Sequence, residues 1–102
     1  MIVAISKITV TNGNDDALAE QYIRRSGLVD DMPGFVSMEV LRNADNPCEF
    51  LVYTRWETRA AFDAYYKAQA FRVAHQQVAA IPGGIKIDRA TRVLSVYDVV
   101  TT

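Results

Sequence analysis

The sequence predicts an α+β fold of order βαββαβ, in which a four-stranded antiparallel sheet carries both helices on one face. Three observations lead there. Four short segments alternate with a two-residue period, two intervening stretches carry apolar residues at helical spacing, and the strand-helix-strand idea recurs in each half. The resulting arrangement is ferredoxin-like, and its 102 residues form a single domain over positions 1–102.

Val3 to Val10 reads as the first strand, with Val3, Ile5 and Lys7 on one face and Ala4, Ser6, Ile8 and Val10 on the other. Both faces are largely apolar, which implies cover on both sides. Thr11 to Asn14 supplies a turn, and Asn14 or Asp15 is the expected N-cap of a helix with Asp16 in its first turn. Leu18, Tyr22 and Val29, with Ile23 at the margin, trace its buried stripe to about Asp31, where Met32-Pro33-Gly34 stops it.

Phe35 to Leu41 and Glu49 to Trp56 are the next two strands, joined as a hairpin through Asn43-Ala44-Asp45-Asn46-Pro47. Thr58 is the expected N-cap of the second helix, whose inner face would carry Phe62, Tyr65 or Tyr66, and Gln69. A further helical piece from Ala70 to Ala80 places Phe71, Ala74, His75 and Val78 at i, i+3, i+4 and i+7, and Pro82-Gly83-Gly84 ends it. Ala90 to Val100 reads as the last strand, with Leu94, Val96 and Asp98 on one face and Val93, Ser95 and Tyr97 on the other.

A sheet covered on one face only would expose residues such as Leu51, Tyr53, Val36 or Met38. Two copies packed sheet against sheet into a dimeric α+β barrel would bury them, so a homodimer is expected.

Composition excludes several classes. Eleven basic against twelve acidic residues leave a net charge of -1 and no field that would gather a nucleic acid or an anionic membrane. The single Cys48 can make neither an internal disulfide nor a thiolate metal cage. Met1 to Ser6 has none of the features of a secretory signal, and no apolar run approaches membrane-spanning length, so a cytoplasmic protein is expected. The glycines form no phosphate-binding loop, and no flavin or nicotinamide motif is present. Ser6, His75 and Asp98 supply the residue types of a hydrolytic triad, but without a nucleophile elbow.

The candidates for chemistry are the lone Trp56 and the lone His75. His75 is the one imidazole that could ligate a metal, and it lies on an apolar stripe between Phe71 and Val78, with Arg72 and Lys67 near enough to meet anionic groups at a rim. That combination suits a flat, apolar, dianionic ligand. It is also what a core histidine bonded to a carbonyl would look like. Trp56 could stack on such a ligand from the strand end or anchor the core at the strand-helix corner.

The run Thr54-Arg55-Trp56-Glu57-Thr58-Arg59-Ala60-Ala61-Phe62, followed by Ala70-Phe71-Arg72-Val73-Ala74-His75 and preceded by Pro33-Gly34-Phe35, resembles the antibiotic biosynthesis monooxygenase superfamily. Within it, the similarity is to IsdG-type haem-degrading monooxygenases. The resemblance implies a ferredoxin-like homodimer in which haem is both substrate and cofactor. His75 would ligate iron, Trp56 would press the macrocycle out of plane, and Phe71, Val78 and Arg72 would line the pocket. Electrons would come from an external reductase. Where the family has an asparagine on the first strand, this chain has Ser6, whose shorter hydroxyl lacks an amide's geometry. The same superfamily implies two alternatives, a cofactor-independent oxygenase of quinols or polyketide-type aromatics, and a non-catalytic dimer that binds haem or another small ligand.

Overall fold

Alternation in the sequence becomes a sheet whose register is interrupted once, in β2. The computed structural model describes residues 1–24, 28–68 and 81–102. In chain order these form β1 (Ile2–Thr9), α1 (Asp15–Ile23), a 3-10 turn (Leu28–Asp31), β2 (Phe35–Arg42), β3 (Glu49–Trp56), α2 (Arg59–Lys67) and β4 (Val93–Asp98). The strands lie in the order β2-β3-β1-β4 with every neighbouring pair antiparallel. This is the ferredoxin-like topology that the sequence predicts.

The register arranges side chains on the helix-covered face in rows that cross the sheet. Trp56 pairs with Ile2, and Ile2 with Asp98; the next rows are Thr54, Ala4 and Val96, then Val52, Ser6 and Leu94, and then Phe50 with Ile8. Because successive side chains alternate faces, these even-numbered positions share the side on which α1 and α2 lie. Packing on that side is divided. One buried cluster joins Ile2, Ala4, Val29, Trp56 and Phe62, and a second joins Val10, Leu18 and Phe50. Each helix therefore holds its own end of the sheet, α2 through Phe62 and α1 through Leu18.

Local chemistry differs from the sequence expectation at several points. Helix α1 stops at Ile23, which is 79% exposed, and a separate 3-10 turn brings Val29 into the core instead. Asn14 stands at the N-cap position of α1 without capping it through its side chain. Its amide instead donates to the carbonyls of Gly84 (2.7 Å) and Pro82 (3.1 Å), while Asn12 donates to Gly84 at 2.9 Å. These bonds tie the β1–α1 turn to the chain that leads into β4. That strand begins only at Val93, because the Asp88 carboxylate and carbonyl accept from the backbone N–H groups of Ala90 and Thr91 and hold a turn there.

Met38 faces the helices rather than the open side. A bulge between Phe35 and Ser37 shifts the register by one residue, so Phe35 and Met38 both pack on the Trp56 cluster while Val36 is turned outward. The uncovered face carries Ile5, Leu51, Tyr53, Val93 and Tyr97, the last two about half exposed. At the other end of α2, the Thr58 side chain accepts from the Ala61 N–H at 3.1 Å, as its sequence position predicts.

Gly34 makes the corner between β2 and α2 possible. Its φ is +81°, and a Cβ there would lie 2.5 Å from the Cβ of Ala61. Gly13 has a similar φ of +78° but open space around it. Gly34→Ala should therefore destabilise the fold by more than about 2 kcal/mol and Gly13→Ala by only about 1 kcal/mol. Urea unfolding of the two variants checks this, and equal losses would mean that the Ala61 contact is unimportant.

Candidate active site

Trp56 ends β3 and is fully buried, with no accessible surface. Phe35 and Phe62 meet it edge-on, with centroids at 5.5 and 6.0 Å, and Tyr65 stacks on it at 5.1 Å and 29°. The indole is thus a core anchor at the strand-helix corner, worth several kcal/mol of packing. Its Nε1–H, however, is buried and has no acceptor among the described residues. A buried donor left unpaired costs about 1–3 kcal/mol, and native interiors seldom tolerate one without use for it.

Ser6 lies on the same face in the centre of the sheet, flanked by Val52 and Leu94. Among the described residues, none of these three belongs to either buried cluster, and Leu94 is 45% exposed although it points to the helix side. The core is therefore interrupted along this row. Beside it, between α2 and β4, opens a cleft of about 350 Å³ with Leu94 and Val96 as its floor and Arg59, Phe62, Asp63, Tyr66 and Lys67 around it. Lys67, foreseen at a rim, lines this cleft; Arg59, Leu94 and Val96 were not foreseen, and their signal is the parity of β4 together with the helical spacing of α2. Tyr65 packs toward the Trp56 cluster while Tyr66 stays 44% exposed, which resolves the choice between them.

Tyr22, on α1, belongs to the other end of the sheet. Its ring packs against Phe50 at 6.1 Å, and its hydroxyl is pushed up to about 12, first by burial and then by Tyr65, with Arg92 acting in the other direction. The phenol therefore keeps its proton across the physiological range and can donate a hydrogen bond. Tyr53 and Tyr97 lie on the uncovered face, away from this region. His75, Phe71, Arg72 and Val78, together with Gln69 and the helical piece from Ala70 to Ala80, lie outside the described residues. Among the described residues no group of three or more His, Cys, Asp or Glu side chains could hold a metal ion, and no helix is long and apolar enough to cross a membrane.

Residues 1–77 match the family model of the antibiotic biosynthesis monooxygenases. The chain belongs to this family. Among its relatives, the heme-degrading monooxygenase of Bacillus thuringiensis (strain Al Hakam) is 32% identical over 101 residues, covering 97% of this chain and 90% of that protein. The solved structure of the heme-degrader MhuD from Mycobacterium tuberculosis, with two hemes bound in its active site, superposes with a TM-score of 0.77 at 27% identity, covering 100% of this chain and 98% of that one. SnoaB, a cofactor-independent oxygenase from Streptomyces nogalater, shares the fold at a TM-score of 0.74 and 17% identity, covering 99% and 94% of the two chains.

Two outcomes are expected for this antibiotic biosynthesis monooxygenase family member. Trp56→Phe removes the unpaired donor together with part of the ring, so stability should change by less than about 1–2 kcal/mol, whereas Trp56→Ala should cost about 3–5 kcal/mol. Thermal and urea unfolding report both, and a Phe variant as unstable as the Ala variant would count against an unpaired indole. For Tyr22 the folded value lies above the unfolded value of 10.0, so its contribution to stability is complete below pH 10 and is lost as pH rises towards about 12. Alkaline unfolding should accordingly begin later for Tyr22→Phe, which has no phenol to ionise.

Proposed function

We propose that the protein is a haem-degrading monooxygenase, which takes haem between the sheet and the helices, oxygenates it with O2 and electrons from an external reductant, and releases the iron. The observation that carries this reading is that, among the described residues, the Ser6 row belongs to neither buried cluster and its Leu94 lies open on the cleft between α2 and β4. It occurs in a chain 32% identical to a heme-degrading monooxygenase. A flat apolar ligand fits that environment, because Val52, Leu94 and Val96 offer surface without polar demands.

The bound haem supplies the iron at which oxygen is activated and the carbon that is oxygenated. In this reading His75 contributes the neutral imidazole nitrogen that holds the iron, and Phe71 and Val78 exclude water around it. Arg72 meets a carboxylate. Trp56 would keep the strand-helix corner at the end of the pocket rigid through its packing against Phe62 and Tyr65. Ser6 offers one hydroxyl proton from the sheet, where an amide would reach further. A homodimer formed through the face bearing Ile5, Leu51, Val93 and Tyr97 belongs to the same proposal, as does action in the cytoplasm, where a reductase can meet the pocket.

Titration of the purified protein with haemin, followed by ascorbate under air, tests the reading. One haem per subunit, loss of the Soret band and trapping of ferrous iron are expected. Stable binding without decay would instead identify a haem-binding relative, and no saturable binding would redirect the test to oxygen uptake with a quinol. His75→Ala should weaken haemin binding at least tenfold, and wild-type affinity should fall on acidification as the imidazole is protonated. Ser6→Asn should raise the rate of Soret loss; an unchanged rate would remove Ser6 from the mechanism.

A further inference from the structure

Lys67 lines the cleft between α2 and β4 and has no role in the reading above. Along α2, Arg59, Asp63 and Lys67 stand at i, i+4 and i+8, so helical spacing sets them in a row on the side that faces Leu94 and Val96. The row reads cation, anion, cation. Leu94 is also the residue that β4 places opposite Ser6, so the cleft opens onto the row that both buried clusters leave out.

The two cations of this row are not equivalent. Asp63 has one of them a helical turn away on either side, and the ion pair it makes is with Arg59, whose Nε donates to Oδ1 at 3.3 Å. Among the described residues Lys67 has no carboxylate partner. Charge is therefore balanced at the N-terminal end of the cleft and left positive at the C-terminal end, above an apolar floor. A ligand with an apolar ring and a carboxylate arm complements this arrangement, with the ring on Leu94 and Val96 and the arm accepting from the Lys67 ammonium. Lys67 is exposed, so the pair stays partly hydrated and avoids the cost of burying two charges.

We propose that Lys67 is the carboxylate-recognising residue of the cleft between α2 and β4, and that Asp63, by occupying Arg59, confines the acidic arm of the ligand to the Lys67 end. The inference rests on the haem reading and adds an orientation to it: one carboxylate arm of the porphyrin lies at the C-terminal end of α2. Lys67 is a specificity determinant with no part in oxygen chemistry, and Asp63 is a positioning residue that acts through Arg59.

The test compares haemin with its dimethyl ester, which keeps the macrocycle and the iron but removes both negative charges. Wild-type protein should bind haemin more tightly than the ester in Soret titrations. Lys67→Met should weaken haemin about fivefold and leave the ester unchanged, while Lys67→Arg keeps the preference. Asp63→Asn should act in the opposite sense, tightening haemin about twofold with no effect on the ester, because it removes a negative charge and releases Arg59. Arg89→Gln supplies the control for net charge: Arg89 is exposed and outside the cleft, and salt screens it from the ligand, so haemin affinity should not change. Unfolding curves on each variant separate a loss of fold from a loss of recognition. Equal losses for haemin and ester in Lys67→Met, no loss for haemin, or a loss as large in Arg89→Gln would overturn recognition by Lys67 while leaving the haem reading intact. Haemin bound no more tightly by Asp63→Asn would overturn the role of Asp63. Failure of wild-type protein to bind either porphyrin saturably would overturn both the recognition and the haem reading.

Discussion

The packing of Trp56 is the interaction on which the rest of this structure depends. One indole closes the corner where β3 turns into α2, and it draws together Ile2 from β1, Phe35 from β2, and Phe62 and Tyr65 from α2. Gly34 permits the close approach, and the Glu57 N–H bonds to the Gly34 carbonyl at 2.8 Å. Helix α2 has nine residues, too few to persist alone in water, so its existence depends on this burial. Whatever α2 contributes to the cleft is in turn positioned by the same contact.

The second consequence of that packing is the division of the core. Trp56 and Phe62 satisfy one end of the sheet, and Phe50, Val10 and Leu18 satisfy the other. A sheet eight residues long in β1 and β3 is long enough for the two clusters to leave a row between them. Small or short side chains at that row, Ser6 and Val52, add little filling. Among the described residues, packing on this face is concentrated at the two ends of the sheet and not along the middle row.

Much of this was legible in the sequence. β3 occupies the stretch its alternation marks out, and Thr58 caps as its position predicts, because period-two burial and N-cap bonding are local rules. The end of α1 and the start of β4 were not legible: α1 gives way to a separate 3-10 turn that seats Val29 in the core, and Asp88 organises a local turn that delays β4 to Val93. The face of Met38 was hidden by a bulge, which no alternation pattern announces. At the site, Trp56 was named from its place in the chain, with both a packing and a ligand role open. That its N–H finds no acceptor among the described residues emerges only when the helices are laid over the rows of the sheet.

The two helices on the sheet are fastened by different physics. The first turn of α1 is tied to the β2–β3 hairpin by Arg42, which bonds Asp15 and Asp16, donates to the Pro47 carbonyl and stacks over Phe50. These groups are partly solvated, so added salt and acid both weaken the tie. The α2 side is fastened by aromatic burial, which salt tends to strengthen and cooling weakens. The sheet thus carries one helix whose attachment answers to ionic strength and another whose attachment answers to temperature, and the cleft between α2 and β4 depends on the second.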